Sequence, residues 1–228
     1  MSVRFQWHSH SVWTIEAGGK TILVDPFLTG NPTAEVSADQ LQADFILLTH
    51  AHGDHLGDTV AIAKRTGAPV VTNFEISEWL GKQGVDNAIG LNPGGHVSLP
   101  FGRVMYTFAI HSSSFPDGSY GGVAGGFVMY LDGLTVYNSG DTALFSDMAL
   151  FGERYKPDVA ILPIGDFFTM GPEDSVEALK MLKAKIAIPQ HYNTFPPIQQ
   201  DPNKWADMVR KIGADPVVLQ PGQDYTAK

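Results

Sequence analysis

Three imidazoles and a carboxylate fall within six residues at His50-Ala51-His52-Gly53-Asp54-His55, directly after the apolar run Phe45–Leu48. Imidazole nitrogen and carboxylate oxygen suit Zn²⁺, Mn²⁺ or Fe²⁺. Gly53 lets the backbone turn tightly, so that side chains on both sides of it can converge. The cluster is internal and sits at the end of an apolar strand. That position distinguishes it from an exposed histidine tract.

Further along the chain stand other residues of the same chemical types. Asp25 follows a short apolar strand, His111 ends a middle strand, Asp141 follows a hairpin in Ser139-Gly140-Asp141-Thr142, and His191 follows a late strand. His8 and His10 share one face of an N-terminal strand, with Ser9 between them. His96 follows Pro93-Gly94-Gly95 and belongs to a turn. The Ser112–Ser114 run lacks an assigned base and orienting group, so it does not read as a nucleophile.

The H-x-H-x-D-H pattern, with Asp25 before it and His111, Asp141 and His191 after it in order, resembles the metallo-β-lactamase superfamily. The segments Ile110-His111-Ser112-Ser113-Ser114, Pro163 to Pro172 and His191-Tyr192-Asn193-Thr194-Phe195-Pro196 narrow the likeness. They resemble a bacterial and archaeal family of metal-dependent hydrolases, close in pattern to ascorbate-phosphate lactonases and to phospholipases acting on N-acyl phosphatidylethanolamine. The resemblance implies an α+β fold: a four-layer αββα sandwich of two mixed sheets with helices outside. It also implies that His50, His52 and His111 hold one metal and that Asp54, His55 and His191 hold a second. Asp141 would bridge the two, and Asp25 would orient a ligand histidine from behind. Ser9-His10-Ser11 is similar to a Gly-His-Ser segment whose histidine lies near the metals, with Ser in place of Gly. This makes His10 a candidate proton donor or substrate ligand.

The implied chemistry is that of a dinuclear hydrolase. Two cations about 3.5–4 Å apart can share one hydroxide and stabilise the charge that develops as an ester, lactone or phosphodiester is attacked. Binding lowers the pKa of water from ~15.7 towards ~7, so no Ser or Cys nucleophile is required. Asp54, Asp141 and His10 are the expected catalytic group. Asp166, Thr169 and Tyr192 are pocket candidates, and Phe167 and Phe168 could wall a pocket. Nitrogen and oxygen ligands accept Zn²⁺ or Mn²⁺, and Fe²⁺ is compatible. Three rival readings remain at this level: an iron-dependent redox enzyme on the same scaffold, an RNA-processing nuclease, and a metal-binding module without catalysis.

The elements that must position these residues are legible in outline. The 228 residues form one expected domain, 1–228, with no linker and no fixed-period repeat. Apolar residues make up 43% and charged residues 17%, an ordinary globular balance. Short strands are expected over 3–7, 12–15, 21–24, 45–48, 69–72, 97–99, 104–110, 126–131, 135–138, 159–163, 186–189 and 217–219. Helices are expected over 58–66, 74–82, 147–151, 172–182 and 203–212. The absence of cysteine excludes a disulfide scaffold and a Cys nucleophile. The net charge of −9, with no Lys/Arg run, argues against nucleic acid as a partner. No apolar run reaches the ~20 residues of a membrane span. The N-terminus lacks the pattern of an export signal, which points to a cytoplasmic protein. A small-molecule substrate and homo-oligomerisation, common among related enzymes, complete the expectation.

Overall fold

The computed structural model describes residues 2–228. In chain order, β1 (Val3–Ser9), β2 (Val12–Ala17), β3 (Lys20–Val24), β4 (Phe45–Leu47), α1 (Gly53–Leu56), α2 (Thr59–Thr66), β5 (Val70–Asn73), α3 (Phe74–Lys82) and β6 (Ile89–Leu91) form the first half. Then follow β7 (His96–Leu99), β8 (Gly102–Phe108), β9 (Gly125–Leu131), β10 (Leu134–Asn138), α4 (Met148–Tyr155), β11 (Val159–Pro163), α5 (Pro172–Leu182), β12 (Ile186–Gln190), a 3-10 turn at Pro196–Ile198, α6 (Pro202–Lys211), β13 (Asp215–Pro216) and β14 (Asp224–Ala227).

The strands make two seven-stranded sheets, ordered β14-β1-β2-β3-β4-β5-β6 and β13-β12-β11-β10-β9-β8-β7. Each is half antiparallel and half parallel. In the first sheet β14 to β3 run antiparallel and β3 to β6 parallel. In the second, β7 to β10 run antiparallel and β10 to β13 parallel. Two mixed sheets face each other with helices outside, the four-layer αββα sandwich that the resemblance implies.

Period-two alternation sorts the apolar residues between layers. On β3 and β4, Ile22, Val24, Phe45 and Leu47 face the core between the sheets. Their neighbours Leu23, Ile46 and Leu48 face outward, against Ile62 and Ala63 of α2 and Ile76 and Leu80 of α3. Trp205, Ala206 and Val209 of α6 join Val176, Leu179 and Leu182 of α5 on the second sheet. Strands buried on both faces read as the continuous apolar runs seen in the sequence.

The strand expected over 217–219 is corrected. Sheet pairing stops at Pro216, whose ring removes a ladder donor, although the Val217 N–H still donates to the Ala187 carbonyl at 2.8 Å. The closing strand β14 was not expected. The helix over 147–151 extends to Tyr155, where Lys156 ends it in a left-handed conformation. His96 is exposed at the start of β7, not in a turn. No helix among the described residues is long and apolar enough to cross a membrane.

Candidate metal centre

Six strands, β1, β3, β4, β8, β10 and β12, point the same way and end at one edge of the sandwich. His10, Asp25, His50, His111, Asp141 and His191 each lie within about three residues of such an end. Parallel alignment is therefore what brings together residues 180 positions apart.

The cluster following β4 is fixed from behind. Asp25 accepts from the Thr49 N–H at 2.8 Å, from the Thr49 hydroxyl at 2.6 Å and from His55 Nδ1 at 2.7 Å. Those bonds point His55 Nε2 towards Asp141. α1 is a single helical turn that presents Asp54 and His55 together. It ends at Gly57 (φ +38°), where an added Cβ would lie 2.5 Å from the Phe27 Cα and the Pro26 carbonyl oxygen. Only glycine lets this turn rest on the Pro26–Phe27 backbone.

The chemistry-bearing atoms meet in three overlapping groups: His50, His52 and His111; His10, Asp54, His55 and His191; and His50, His55 and Asp141. His52 Nδ1 lies 3.0 Å from His50 Nε2 and 3.2 Å from His111 Nε2. Asp141 Oδ2 lies 2.9 Å from His191 Nε2, 3.2 Å from His55 Nε2 and 3.6 Å from His111 Nε2. His10 Nε2 is 3.2 Å from Asp54 Oδ2, and its Nδ1 is 2.9 Å from Thr194 Oγ1. The His10 ring lies 4.0 Å from that of His191.

Burial and proximity make this an electrostatically loaded site. Burial first, and then the charge of His55, hold His50 well below the usual imidazole range, and burial likewise lowers His52 and His111. Burial also pushes His10 down to about 3. Burial opposes charge on His191 too, but Asp141 overrides it and raises the imidazole to about 9. His55 is raised well above its ordinary value against the same burial, by Asp141 and then Asp25. Burial would raise Asp54 and Asp141, yet the surrounding imidazoles hold both carboxyls far below the carboxylate range. The donor set fits divalent cations. Imidazole nitrogens converge at 3.0–3.2 Å without a proton for every contact, and buried Asp141 Oδ1 has no hydrogen-bond partner.

The pocket candidates divide. Asp166 is exposed, with φ +69°, in a turn where its carbonyl accepts from the Thr169 N–H at 2.7 Å. Thr169 donates its hydroxyl to the Met170 carbonyl and does not cap α5. Phe167 and Phe168 are 72% and 54% exposed and so are not core residues. Tyr192 faces away from the His/Asp cluster. Its ring stacks on Trp7 at 5.3 Å and lines a separate cavity with Ser9, Thr33 and Leu219. Neighbouring side chains at a strand end point opposite ways, and His191 takes the inward position.

Sequence reasoning missed Thr49, Phe27 and Phe195. Phe27 and Phe195 set their rings 5.8 and 5.6 Å from His10. Their adjacency to Asp25 and His191 was the available signal. Ser112 Oγ lies 3.3 Å from His52 Nε2, and Ser113 Oγ instead joins the Ala51 N–H to the Gly121 carbonyl.

A family model described as the beta-lactamase superfamily domain matches residues 4–191. The chain belongs to the metallo-β-lactamase superfamily. Within it, a UPF0173 metal-dependent hydrolase of Shouchella clausii is 53% identical over 206 residues, covering 88% of this chain and 90% of that protein. A relative of the same description from Thermus thermophilus is 48% identical over 221 residues, covering 97% of both. The solved structure of Igni18, a metallo hydrolase from the archaeon Ignicoccus hospitalis, superposes with a TM-score of 0.92 at 38% identity, covering 100% of this chain and 99% of that one. This superfamily member is a metal-dependent hydrolase.

Proposed function

We propose that the cluster holds two divalent cations, Zn²⁺ or Mn²⁺, and that the enzyme hydrolyses a carboxylic ester, lactone or phosphodiester of a small molecule. His50, His52 and His111 would hold one cation, and Asp54, His55 and His191 the other. The observation that carries this reading is Asp141, whose Oδ2 faces nitrogens of both sets, at 3.6 Å from His111 and at 2.9 and 3.2 Å from His191 and His55. Cations bound there supply Lewis acidity and acidify a water at neutral pH.

The remaining work belongs to the chain. Asp25 fixes the orientation of the His55 ring, so that Nε2 is presented without rotamer search. Asp54 is held ionised and 30% exposed, where it can orient a water by accepting its hydrogen bond. His10, held neutral by burial, can donate one hydrogen bond to developing charge without changing its own ionisation.

The test is metal analysis of untagged protein together with ester hydrolysis. About two Zn or Mn per chain are expected. Both metal content and hydrolysis should fall in His52→Ala and in Asp141→Ala. If either variant kept both at the wild-type level, the reading would be lost.

A further inference from the structure

The rim of the site is apolar on two sides. Ile110, 47% exposed, adjoins His111. Its N–H donates to Thr142 Oγ1 at 3.0 Å and its carbonyl accepts from the Ala143 N–H at 3.1 Å, which clamps it onto the loop carrying Asp141. The turn bearing Phe167 and Phe168 is held against the same loop, since the Met170 N–H donates to the Thr142 carbonyl at 2.9 Å. Its other end, Gly165, abuts His191: a Cβ there would lie 2.3 Å from the His191 carbonyl oxygen. The two exposed phenyl rings, 4.8 Å apart, therefore stand on a turn clasped between two ligand-bearing loops. Across the site, Phe27 and Phe195 border His10 and lie 6.3 Å from each other. Soluble surfaces rarely place several large apolar groups together without use.

The charges are arranged to match. The chain has 15 Lys and Arg. All except Lys204 stand at or just before strand starts, in last helical turns, at helix C-caps or beside the start of β1. Lys64 and Arg65 end α2, Lys82 ends α3, Arg154 ends α4, Lys180 ends α5, and Arg210 and Lys211 end α6. Each of these helices starts near the metal edge and runs away from it, so its C-terminal cations gather at the opposite edge. Acidic residues mark the near ends instead: Glu75 on α3, Glu173 and Asp174 on α5, and the N-cap positions Asp147 and Asp201. Lys204 is itself paired with Asp201 at 3.8 Å.

From this arrangement we infer that the substrate is a neutral carboxylic ester or lactone carrying an apolar chain or ring, which rests on Phe167, Phe168 and Ile110. This inference rests on the proposed hydrolase reading and narrows it. A polyanionic substrate would meet carboxylates at the rim and no free cationic side chain among the described residues. The bond broken is the acyl C–O bond. Water supplies the oxygen that joins the acyl carbon, and the leaving alkoxide takes up a proton, so an ester gives an acid and an alcohol and a lactone gives one hydroxy acid.

The test compares kcat/KM on p-nitrophenyl acetate, butyrate and hexanoate with that on bis(p-nitrophenyl) phosphate, for metal-loaded enzyme. Each buried methylene should raise kcat/KM by up to about fourfold, from about 0.8 kcal/mol per methylene. Acetate to hexanoate should rise at least about tenfold, chiefly through KM. The phosphodiester should be cleaved at least about 100-fold more slowly than the hexanoate ester. In Phe167→Ser/Phe168→Ser the hexanoate-to-acetate ratio should collapse. Phe167→Leu/Phe168→Leu should restore it, and Leu150→Ser, an exposed apolar residue on α4, should leave it intact. A phosphodiester rate equal to the ester rate would overturn the inference, as would a ratio indifferent to the serine pair. A serine pair that altered only self-association or vesicle binding would overturn it too, assigning the phenyl rings to another surface. Absence of any hydrolysis dependent on His52 would instead defeat the underlying hydrolase reading.

Discussion

At the residue scale, His10 has two possible parts, set by its tautomer. Thr194 Oγ1 lies 3.4 Å from the Tyr192 carbonyl and can donate to it, and would then accept from His10 Nδ1–H. In that tautomer the His10 Nε2 lone pair faces the Asp54 carboxylate, an arrangement that calls for a cation between them. In the other tautomer Nε2–H donates to Asp54. His10→Ala separates the two cases. With His10 as a hydrogen-bond donor, metal content stays at the wild-type level and kcat falls about 100-fold or more. A fall to about one metal per chain would make His10 a ligand instead.

His8, two residues earlier, has a different task. It is buried, its Nε2 bonds Thr14 Oγ1 at 2.8 Å, and burial pushes its imidazole down to about 4. The unfolded chain takes up a proton near pH 6.5 and the folded chain resists until about pH 4, so stability is lost as pH falls through this window. By pH 5 the loss is about 2 kcal/mol relative to pH 7. In urea unfolding of metal-free protein, the stability gap between wild type and His8→Gln should narrow by that amount from pH 7 to pH 5. A gap independent of pH would refute the assignment.

At the scale of elements, the sequence was informative where chemistry or burial left a pattern. The residues proposed as metal ligands are carried by residue type and spacing, and the buried strands by unbroken apolar runs. β14 left no such trace. Its Asp224, Tyr225 and Thr226 are exposed or half-buried at a sheet edge, so neither apolar content nor alternation marks it. α1 is too short for periodicity to register. The inward or outward sense of Tyr192 was equally hidden, because it depends on how the chain leaves β12 at His191, whose φ is +55°.

The loop between His111 and Gly125 takes one of its anchors from β5. Asn73 accepts from the Ile76 N–H at 2.8 Å as the cap of α3, while its amide donates to the carbonyls of Gly121 and Val123 at 2.8 and 3.1 Å. Asn73→Ala removes the cap and one of the two donors to each carbonyl, since the Ser113 and Tyr106 hydroxyls still donate to Gly121 and Val123, and should cost about 2 kcal/mol. Asp201→Ala removes only an exposed cap, bonded to the N–H groups of Asn203 and Lys204, and should cost about 1 kcal/mol. Denaturant unfolding of the two variants checks the contrast. Equal losses would mean that the loop anchor contributes nothing.

At the scale of the whole molecule, the two sheets impose a polarity. The strand ends that carry the proposed ligands share one edge with acidic helix starts, and basic helix ends share the other. A phosphodiester approaching the site should feel repulsion that salt screens, whereas a neutral ester should not. Raising salt from about 50 to 500 mM should increase kcat/KM for bis(p-nitrophenyl) phosphate several-fold and leave p-nitrophenyl butyrate flat. A decrease with salt for the phosphodiester would show that attraction, not repulsion, governs its approach.

The same separation of charge gives the molecule a handle for immobilisation. On an anionic support it should settle on its basic edge, leaving the catalytic opening towards solution. On a cationic resin it should land opening-first, with its catalytic face against the matrix. The sign of the bead's charge, more than the capacity of the column, would then decide whether adsorbed enzyme still turns over.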